Sequence, residues 1–391
     1  MKPAAVLAAL AVAAATLSAC GSAEPGTPAP VAASSAAPSA TSSTADQPAA
    51  RTGLGAPSPS PRPSTRPAAA GNPDGRAAVP AEARAVDTSR PTRTIGTGTP
   101  ASCTSAAVVK AVAAGGIITF DCGPDPVTIA MTATAKVRNA NGPKVVLDGG
   151  GRVTLSGQGK RRILYMNTCD RAQGWTTSHC QNQDHPQLTV QNLTFAEGNS
   201  TGEEAEGGGG GAIFVRGGRF KIVNSRFVRN RCDRTGPDLG GAAVRVLSQY
   251  ENKPVYVVNS TFTGGSCANG GALSSIGVSW VVLNSVLRDN EAIGRGANPA
   301  RAGTPGGGSG GAIYCDGNEF NVRIAGTVIE GNDANEGGGA IFFVSNNRTG
   351  TLRIENSTLR RNPSRGFETR GFPGIFFLGA RPPTVSGSRL S

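Results

Sequence analysis

The C-terminal two-thirds of the chain alternates short apolar runs with polar and glycine-rich turns, and this pattern repeats. Each repeat contains two β-branched runs that meet at Asn or Gly. Six such segments, and a truncated seventh, occupy residues 189–195, 221–227, 256–262, 281–287, 323–329, 353–359 and 383–390. The Asn or Gly positions lie 32, 35, 25, 42, 30 and 31 residues apart. Because these residues tolerate the left-handed conformation that a sharp bend requires, each segment is predicted to hold two short strands joined at a bend.

Asparagine recurs at two fixed positions of this repeat. The first column lies at the bend and consists of Asn192, Asn224, Asn259, Asn284 and Asn356. The second lies six residues later and consists of Asn230, Asn290, Asn332 and Asn362. Since stacked amides can hydrogen-bond from one repeat to the next, the first column is predicted to form an internal asparagine ladder.

A glycine motif supplies a third strand per repeat. It occurs at 210–213, 240–243, 270–273, 310–313 and 338–341, while glycine-rich inserts at 203–211 and 294–311 make the period variable. Three strands per repeat, with loops inserted at one corner, predict an all-β fold, a right-handed single-stranded parallel β-helix whose stacked repeats bury a continuous core. Ser105–Ala114 predicts a short amphipathic helix that caps the N-terminal end, before first strands at 117–120 and 145–149.

The glycine motif followed by Phe227-x-x-Asn230 resembles the repeats of chlamydial polymorphic outer membrane proteins. More broadly, residues 100–391 are similar to actinobacterial right-handed parallel β-helix lipoproteins of the pectate-lyase-like superfold. The resemblance implies the fold. Because that superfold hosts many polysaccharide lyases and hydrolases, it also raises an enzymatic alternative.

The first 98 residues have a different composition. Met1–Lys2, the apolar run Ala4–Ala15 and Leu17–Cys20 resemble a bacterial lipoprotein signal, so residues 1–19 are predicted to be a signal peptide and Cys20 to be acylated. Residues 20–98 are rich in Pro, Ala, Ser and Thr and predict a disordered tether, followed by the β-helix at 99–391. We therefore expect an exported protein in the cell envelope, anchored in the lipid bilayer on the outer face of the cytoplasmic membrane.

Seven cysteines follow Cys20, and an exported chain can form disulfides. We predict three bonds, Cys103–Cys122 around the capping helix, Cys169–Cys180 closing a loop, and Cys232–Cys267 at equivalent positions of successive repeats. The alternative for the second pair is a metal site with His179, Asp184 and His185. Because Cys-x10-Cys is no recurrent zinc spacing, we predict neither a metal nor a cofactor. Cys315 is left over and is predicted to be buried.

The net charge of +12 favours acidic partners, such as acidic or cell-wall polysaccharides. Nucleic acid is disfavoured, because the chain is expected to be exported and has few aromatic residues. The position that follows each glycine motif or its equivalent holds Phe214, Val244, Ser274, Tyr314, Phe342 and Phe376. The residue directly before each of these is aliphatic. Strand neighbours face opposite ways, so only one of these columns can be core.

If the aliphatic column points inward, the aromatic column lies outside, where sugar rings could stack; if the aromatic column points inward, it is core. The first alternative makes Tyr314, Phe342, Phe214 and Phe376 candidate ligand-binding residues. Arg226 joins them, because it faces outward if Phe227 faces inward.

No catalytic residue is predicted. The acids around the glycine strands lie in loops, at Glu203, Glu204, Glu206, Asp233, Asp238 and Glu336, and no lyase motif is matched. The predicted function is a cell-envelope-anchored binding or interaction module for glycans or surface partners. A polysaccharide lyase or glycoside hydrolase remains the alternative. Three or more acids on adjacent glycine strands would favour the enzyme, whereas scattered loop acids favour the binding module.

Overall fold

The computed structural model describes residues 69–203 and 208–391. The predicted signal peptide, Cys20, the tether up to residue 68, and the loop acids Glu204 and Glu206 lie outside the described residues. Within these ranges the regular structure is almost entirely β, with one α-helix, α1 (Ser105–Ala114). Short 3-10 turns occur at Ala81–Ala83, Pro100–Ser102, Arg171–Gln173, Cys180–Asn182 and Tyr250–Asn252.

The strands of the first two hundred residues are β1 (Arg93–Ile95), β2 (Gly116–Phe120), β3 (Val127–Ala130), β4 (Ala135–Lys136), β5 (Lys144–Ser156), β6 (Leu164–Asn167) and β7 (Gln187–Ala196). The strands that follow are β8 (Ile213–Arg216), β9 (Arg219–Val223), β10 (Arg226–Val228), β11 (Val244–Leu247), β12 (Val255–Val258), β13 (Thr261–Thr263), β14 (Ser266–Cys267), β15 (Leu273–Ile276), β16 (Trp280–Leu283), β17 (Val286–Arg288), β18 (Glu291–Ala292), β19 (Ile313–Gly317), β20 (Asn321–Ala325), β21 (Val328–Glu330), β22 (Asp333–Ala334), β23 (Ile341–Ser345), β24 (Thr351–Glu355), β25 (Thr358–Arg360), β26 (Ile375–Leu378), β27 (Thr384–Ser386) and β28 (Arg389–Leu390).

These strands form three sheets in which the strands pair in parallel, each with its equivalent one repeat away. Sheet A has 17 strands and contains both strands that flank each Asn or Gly bend. Sheet B has eight strands, β4, β6, β8, β11, β15, β19, β23 and β26, and contains the glycine-motif strands. Sheet C joins the short strands β14, β18 and β22. The predicted all-β fold with parallel strands is confirmed.

Part of the first asparagine column, Asn192, Asn224 and Asn259, forms a ladder, and this ladder lies on the outside. The bend asparagines have the predicted positive φ, 50° at Asn224 and 47° at Asn259, and the Asn259 Nδ2 donates to Asn224 Oδ1 at 3.2 Å. Asn224 and Asn259 are half-exposed, so the prediction that this ladder is internal is wrong. Side chains alternate across the bend and place the following residue inside, where Ser260 is fully buried and its Oγ accepts the backbone N–H of Ser225. A hydroxyl ladder therefore occupies the interior.

The second asparagine column is the internal one. Asn290 and Asn332 are almost completely buried. The Asn290 Nδ2 donates to Asn332 Oδ1, and the Asn332 Nδ2 donates to Asn362 Oδ1, both at 2.8 Å. These bonds link one repeat to the next inside the molecule.

The aliphatic column of sheet B points into the core. Ile213, Val244, Leu273, Ile313, Ile341 and Ile375 are fully buried and pack in the main apolar cluster, together with the rings of Phe195, Phe227 and Phe262 stacked 5.1 and 4.6 Å apart. The predicted equivalence of Val244 with Phe214 is wrong by one residue. Val244 pairs with Ile213, so Arg245 pairs with Phe214. The second glycine motif contains one more alanine, Ala243, which shifts the register by one residue.

Residues 69–98 do not belong to a disordered tether as the composition predicted; they pack on the outer face of sheet A. β1 pairs with β2, Ala77 exchanges two hydrogen bonds with the Asn284 side chain, and Val86 exchanges two with Gln191. We call residues 69–92 the N-terminal strap. Its backbone is held by side-chain amides, so ordering it needs little apolar burial of its own.

Three disulfide bonds are present as predicted, Cys103–Cys122, Cys169–Cys180 and Cys232–Cys267. Cys169 and Cys180 thus have the geometry of the disulfide alternative. Cys315 is a free, buried thiol, and its burial raises its pKa to about 12. Helix α1 has the predicted bounds and packs its Val108 and Val112 into the main core. In the part of the chain that the structure describes, no helix has the length and apolar character needed to cross a membrane.

Candidate ligand-binding cleft

The predicted aromatic column lies on the face of sheet B that points away from the main core. In register along the sheet it reads Tyr165, Phe214, Arg245, Ser274, Tyr314, Phe342 and Phe376. The Tyr314 and Phe342 rings stack with centroids 4.9 Å apart, and the Phe342 and Phe376 rings stack at 5.2 Å. Tyr314, Phe342 and Phe376 therefore belong to an apolar cluster separate from the main core.

This column is not an accessible surface for sugar rings. Phe214 and Tyr314 are fully buried, Phe342 is nearly so, and Phe376 is half-buried. The prediction of an exposed stacking surface fails because the inserted loops fold over the outer face. The Phe367 ring, for instance, contacts the Phe376 ring edge-on at 4.7 Å. Arg226 does face outward, beside the buried Phe227, but it lies on sheet A and is not brought near these aromatic residues.

A cleft of about 590 Å³ opens beside the covered column. Its floor is the next outward-facing column of sheet B, two residues further along each strand. In register this floor reads Arg216, Leu247, Ile276, Asp316 and Val344. The central part of the floor is thus aliphatic, with a carboxylate at Asp316. The volume of the cleft falls within the range of about 300–1,000 Å³ that is usual for small-molecule sites.

The Asn298 side chain draws the polar groups of the cleft together. Asn298 lies in the long insert between β18 and β19, and its Nδ2 donates to Asp238 Oδ1 at 2.6 Å, to the Tyr314 hydroxyl at 2.9 Å and to Asp316 Oδ2 at 3.0 Å. Two loops and one strand therefore meet at a single amide. Because the Asn298 Nδ2 contacts both Asp238 Oδ1 and Asp316 Oδ2, these two carboxylate oxygens lie close together.

Asp316 is the most perturbed acid of the cleft. Burial raises its pKa above the ordinary value, and the nearby Asp238 adds to this, while hydrogen bonds oppose it. Oδ1 accepts from the Gly317 N–H at 2.6 Å and from Asn346 Nδ2 at 3.0 Å, and Oδ2 also accepts from the Tyr314 hydroxyl at 3.2 Å. With the Asn298 bond, each oxygen accepts two hydrogen bonds. Asp316 is thus an acceptor that orders the loops around it.

Arg245 forms the inner wall of the cleft from the covered column. The side chain is 2% exposed, and its Nη1 donates to Ser274 Oγ at 2.8 Å. Its Nε has no hydrogen-bond partner. Burial lowers the pKa of the guanidinium to about 10, although Tyr314 and Asp238 partly offset this shift. Arg245 is therefore a buried and incompletely satisfied cation at the wall of the cleft.

The other predicted acids do not join this cleft. Glu203 pairs with Arg162, Asp233 Oδ1 accepts the Gly202 N–H at 2.8 Å, and Glu336 accepts two hydrogen bonds from Arg301. Of the described acids in that set, Asp238 alone lines the cleft. Among residues 69–203 and 208–391, no group of three His, Cys, Asp or Glu side chains is placed to hold a metal ion. The described acids of this set are thus scattered rather than gathered in the cleft.

Sequence reasoning missed Asp316, Asn298, Asn346 and Arg245. Strand parity could have found Asp316, since it lies two residues after Tyr314 and must share its face. Arg245 was hidden by the one-residue slip after the second glycine motif. Asn298 and Asn346 had no signal, because their position depends on how an irregular loop and a turn fold back over the sheet.

Comparisons with protein-family models, with curated proteins and with solved structures find no match for this chain.

Proposed function

We propose that the chain is a glycan-binding module and that the cleft on the outer face of sheet B holds the glycan. The observation that carries this is the convergence of Asp238, Tyr314 and Asp316 on the Asn298 amide above an aliphatic floor. Asp238 is exposed and can accept hydrogen bonds from sugar hydroxyls, while Asp316, whose acceptor positions are occupied, holds the surrounding loops in place. The aliphatic floor at Leu247 and Ile276 offers a surface for the apolar face of a sugar ring.

The charge of the cleft favours a neutral glycan segment. Two carboxylates, Asp238 and Asp316, line it against two guanidinium groups, Arg216 and Arg245. An acidic sugar would gain little net attraction from such a balanced set. The preference for acidic partners that the chain's net charge suggests therefore does not extend to this cleft.

The proposed architecture is a right-handed parallel β-helix with α1 as its N-terminal cap. Three sheets of parallel strands support it, because each repeat contributes strands to the same sheets in the same order. So does the resemblance of the repeats to those of polymorphic outer membrane proteins and of the pectate-lyase-like superfold. In such a fold, inserts at one corner of successive repeats come together over one face, which is how the cleft of this chain is built.

Glycoside hydrolysis is a second candidate, favoured by one observation. Asp316 and Asp238 share the Asn298 amide, and the pKa of Asp316 is raised, as a general acid requires. The hydrogen bonds argue against it. All the acceptor positions of Asp316 are occupied by donors, so a proton on this group would displace one of them. The binding function is therefore the better supported of the two.

A glycan array probed with the purified full chain tests the binding function. We expect retention on a limited set of neutral glycans and, on the retained glycans, no release of reducing sugar or unsaturated uronate. Asp238→Asn should lower the affinity about tenfold or more, since a hydrogen bond to a charged group contributes roughly 1.5–3 kcal/mol. Asp125→Asn, at an exposed carboxylate outside the cleft, is the matched control. Absence of retention, or equal retention by Asp238→Asn, would contradict the proposal.

We also propose that the protein is exported and held in the cell envelope by an acylated Cys20. The motif Leu17–Cys20 supports this, and so do the three disulfide bonds, which persist in oxidising compartments. Cys20→Ala should move the protein from the membrane fraction to the medium. The proposal fails if the wild-type protein is already freely soluble and its mass shows no acyl group.

A further inference from the structure

A second pocket, of about 280 Å³, lies on sheet A beneath the N-terminal strap. Strands β5, β7, β9 and β12 form its floor, and Glu82 and Val86 of the strap form one side. Leu188, Phe220 and Pro254 contribute apolar surface. The pocket belongs to a different sheet from the glycan cleft and shares no residue with it.

Positive charge surrounds this pocket. Four of its lining residues are cationic, Lys144, Arg219, Lys221 and Lys253, against one carboxylate, Glu82. Arg219 forms an ion pair with Asp184, and Lys253 forms one with Glu251 at 2.6 Å. Both cations also lie over the Tyr250 ring, 5.5 and 5.0 Å from its centroid, which fixes them at the rim. These two cations are thus largely balanced by their own acids.

Lys144 and Lys221 are not balanced in the same way. The Lys221 Nζ donates to the backbone carbonyls of Glu82 at 3.0 Å and Arg84 at 2.6 Å, so it is held by dipoles rather than by a carboxylate contact. Burial and the like charge of Lys144 lower the pKa of Lys221, although Glu82 partly offsets this. Among the described salt bridges, none involves Lys144.

Two lysines that repel each other across an apolar-floored pocket define the chemistry of an occupant. An oxyanion placed between their ammonium groups relieves the repulsion and gains two charge-assisted hydrogen bonds. The aliphatic and aromatic surface below favours a ligand whose anionic group is attached to a compact apolar body.

We propose that this pocket binds a small organic anion, a phosphate or carboxylate on a compact apolar body, between Lys144 and Lys221. The strap completes the site, because it supplies Val86 and the carbonyls that orient Lys221. The strap is therefore part of a binding site as well as a brace for the sheet.

Calorimetric titration of the full chain with phenyl phosphate, benzoate and inorganic phosphate tests this inference. We expect phenyl phosphate or benzoate to bind at least about fivefold more tightly than inorganic phosphate, because only the former pair fills the apolar part of the pocket. Lys144→Gln should weaken binding about tenfold, the loss expected for one charge-assisted contact. Lys144 is exposed, so this variant is expected to fold normally.

Arg353→Gln is the matched control. Arg353 lies on the outer face of sheet A, in the column of Lys221, but several strands away from the pocket. Its removal costs the same charge and should leave the affinity unchanged. The inference is overturned if none of the three anions binds, if inorganic phosphate binds as tightly as phenyl phosphate and benzoate, or if Lys144→Gln binds as the wild type does. Because the glycan cleft shares no residue with this pocket, either proposal can fail without the other.

Discussion

At the scale of single residues, two buried arginines on the outer face of sheet B differ in how well they are satisfied. Arg162 is 3% exposed, and its Nε and Nη2 donate to the carbonyls of Gly210 and Gly209 at 3.0 and 2.9 Å. Arg245 is equally buried, but it has one short bond to Ser274 and an unpartnered Nε. Burial lowers the pKa of both guanidinium groups. Arg162 is therefore satisfied by structural partners, whereas Arg245 keeps an unsatisfied buried donor.

Substitution by methionine separates the two roles. Arg245→Met should leave the free energy of unfolding unchanged or raise it by ~1–4 kcal/mol, because it removes a buried, incompletely paired charge. Arg162→Met should lower it by roughly 2–3 kcal/mol, because two buried carbonyls lose their donor. Denaturant unfolding of both variants measures this, and retention on the array glycan should fall in Arg245→Met. A large destabilisation by Arg245→Met would show that the arginine is retained for stability.

At the scale of elements, the N-terminal strap shows how a segment of poor apolar content becomes ordered. It crosses several repeats of sheet A, and hydrogen bonds fix it at Asn284, Lys221, Gln191 and Asp148 in turn. Its one fully buried residue, Ala83, packs against Val223, Val258 and Leu283. Because side-chain amides on the sheet satisfy the strap's backbone, composition and periodicity did not predict its order.

Asn284→Gly tests the contribution of these amides. Glycine tolerates the φ of 51° at this bend, and Gly326 has φ 61° at the equivalent bend of the next repeat. The change therefore removes the two bonds with Ala77 without straining the bend. We expect the unfolding free energy to fall by about 1–2 kcal/mol and the Ala77 amide to exchange hydrogen faster.

Asn356→Gly is the control for this prediction. Asn356 occupies the same bend position, with φ 47°, but is exposed and does not contact the strap. The Asn356→Gly variant should leave the unfolding free energy and the exchange rate of the Ala77 amide close to the wild-type values. If Asn284→Gly behaves like Asn356→Gly, the strap is held by other contacts.

At the scale of the whole molecule, the sequence predicted what repeats and missed what does not. The bend residues, the three strands per repeat and the Cys232–Cys267 bond all followed from equivalent positions in successive repeats, while the bounds of α1 followed from its own amphipathic pattern. Strand parity could have identified Asp316. It could not have predicted the strap, the Asn298 loop or the position of Asn346, because each is fixed by contacts between distant segments that do not repeat. The floor of the cleft lies on repeated strands, whereas Asp238, Asn298 and Asn346 come from the non-repeating part.

The inserts also explain why the aromatic column was misjudged. Parity correctly makes it the face opposite the core once Ile313 and Ile341 point inward. Parity says nothing about what covers that face, and here Phe367 and the Asn298 loop cover it. The same covering creates the cleft at its edge. Burial of Tyr314 and formation of the site are therefore two results of one loop arrangement.

We propose that inserts from different repeats build one glycan-binding cleft on the outer face of sheet B. Hydrogen–deuterium exchange of the full chain, with and without the glycan retained best on the array, tests it most directly because it surveys the surface of the whole molecule. We predict that the glycan slows hydrogen exchange in the peptides that contain Asp238, Asn298, Asp316 and Asn346. Exchange in the peptide that contains Lys221 should not change. Protection confined to other segments, with these four unchanged, would contradict the account.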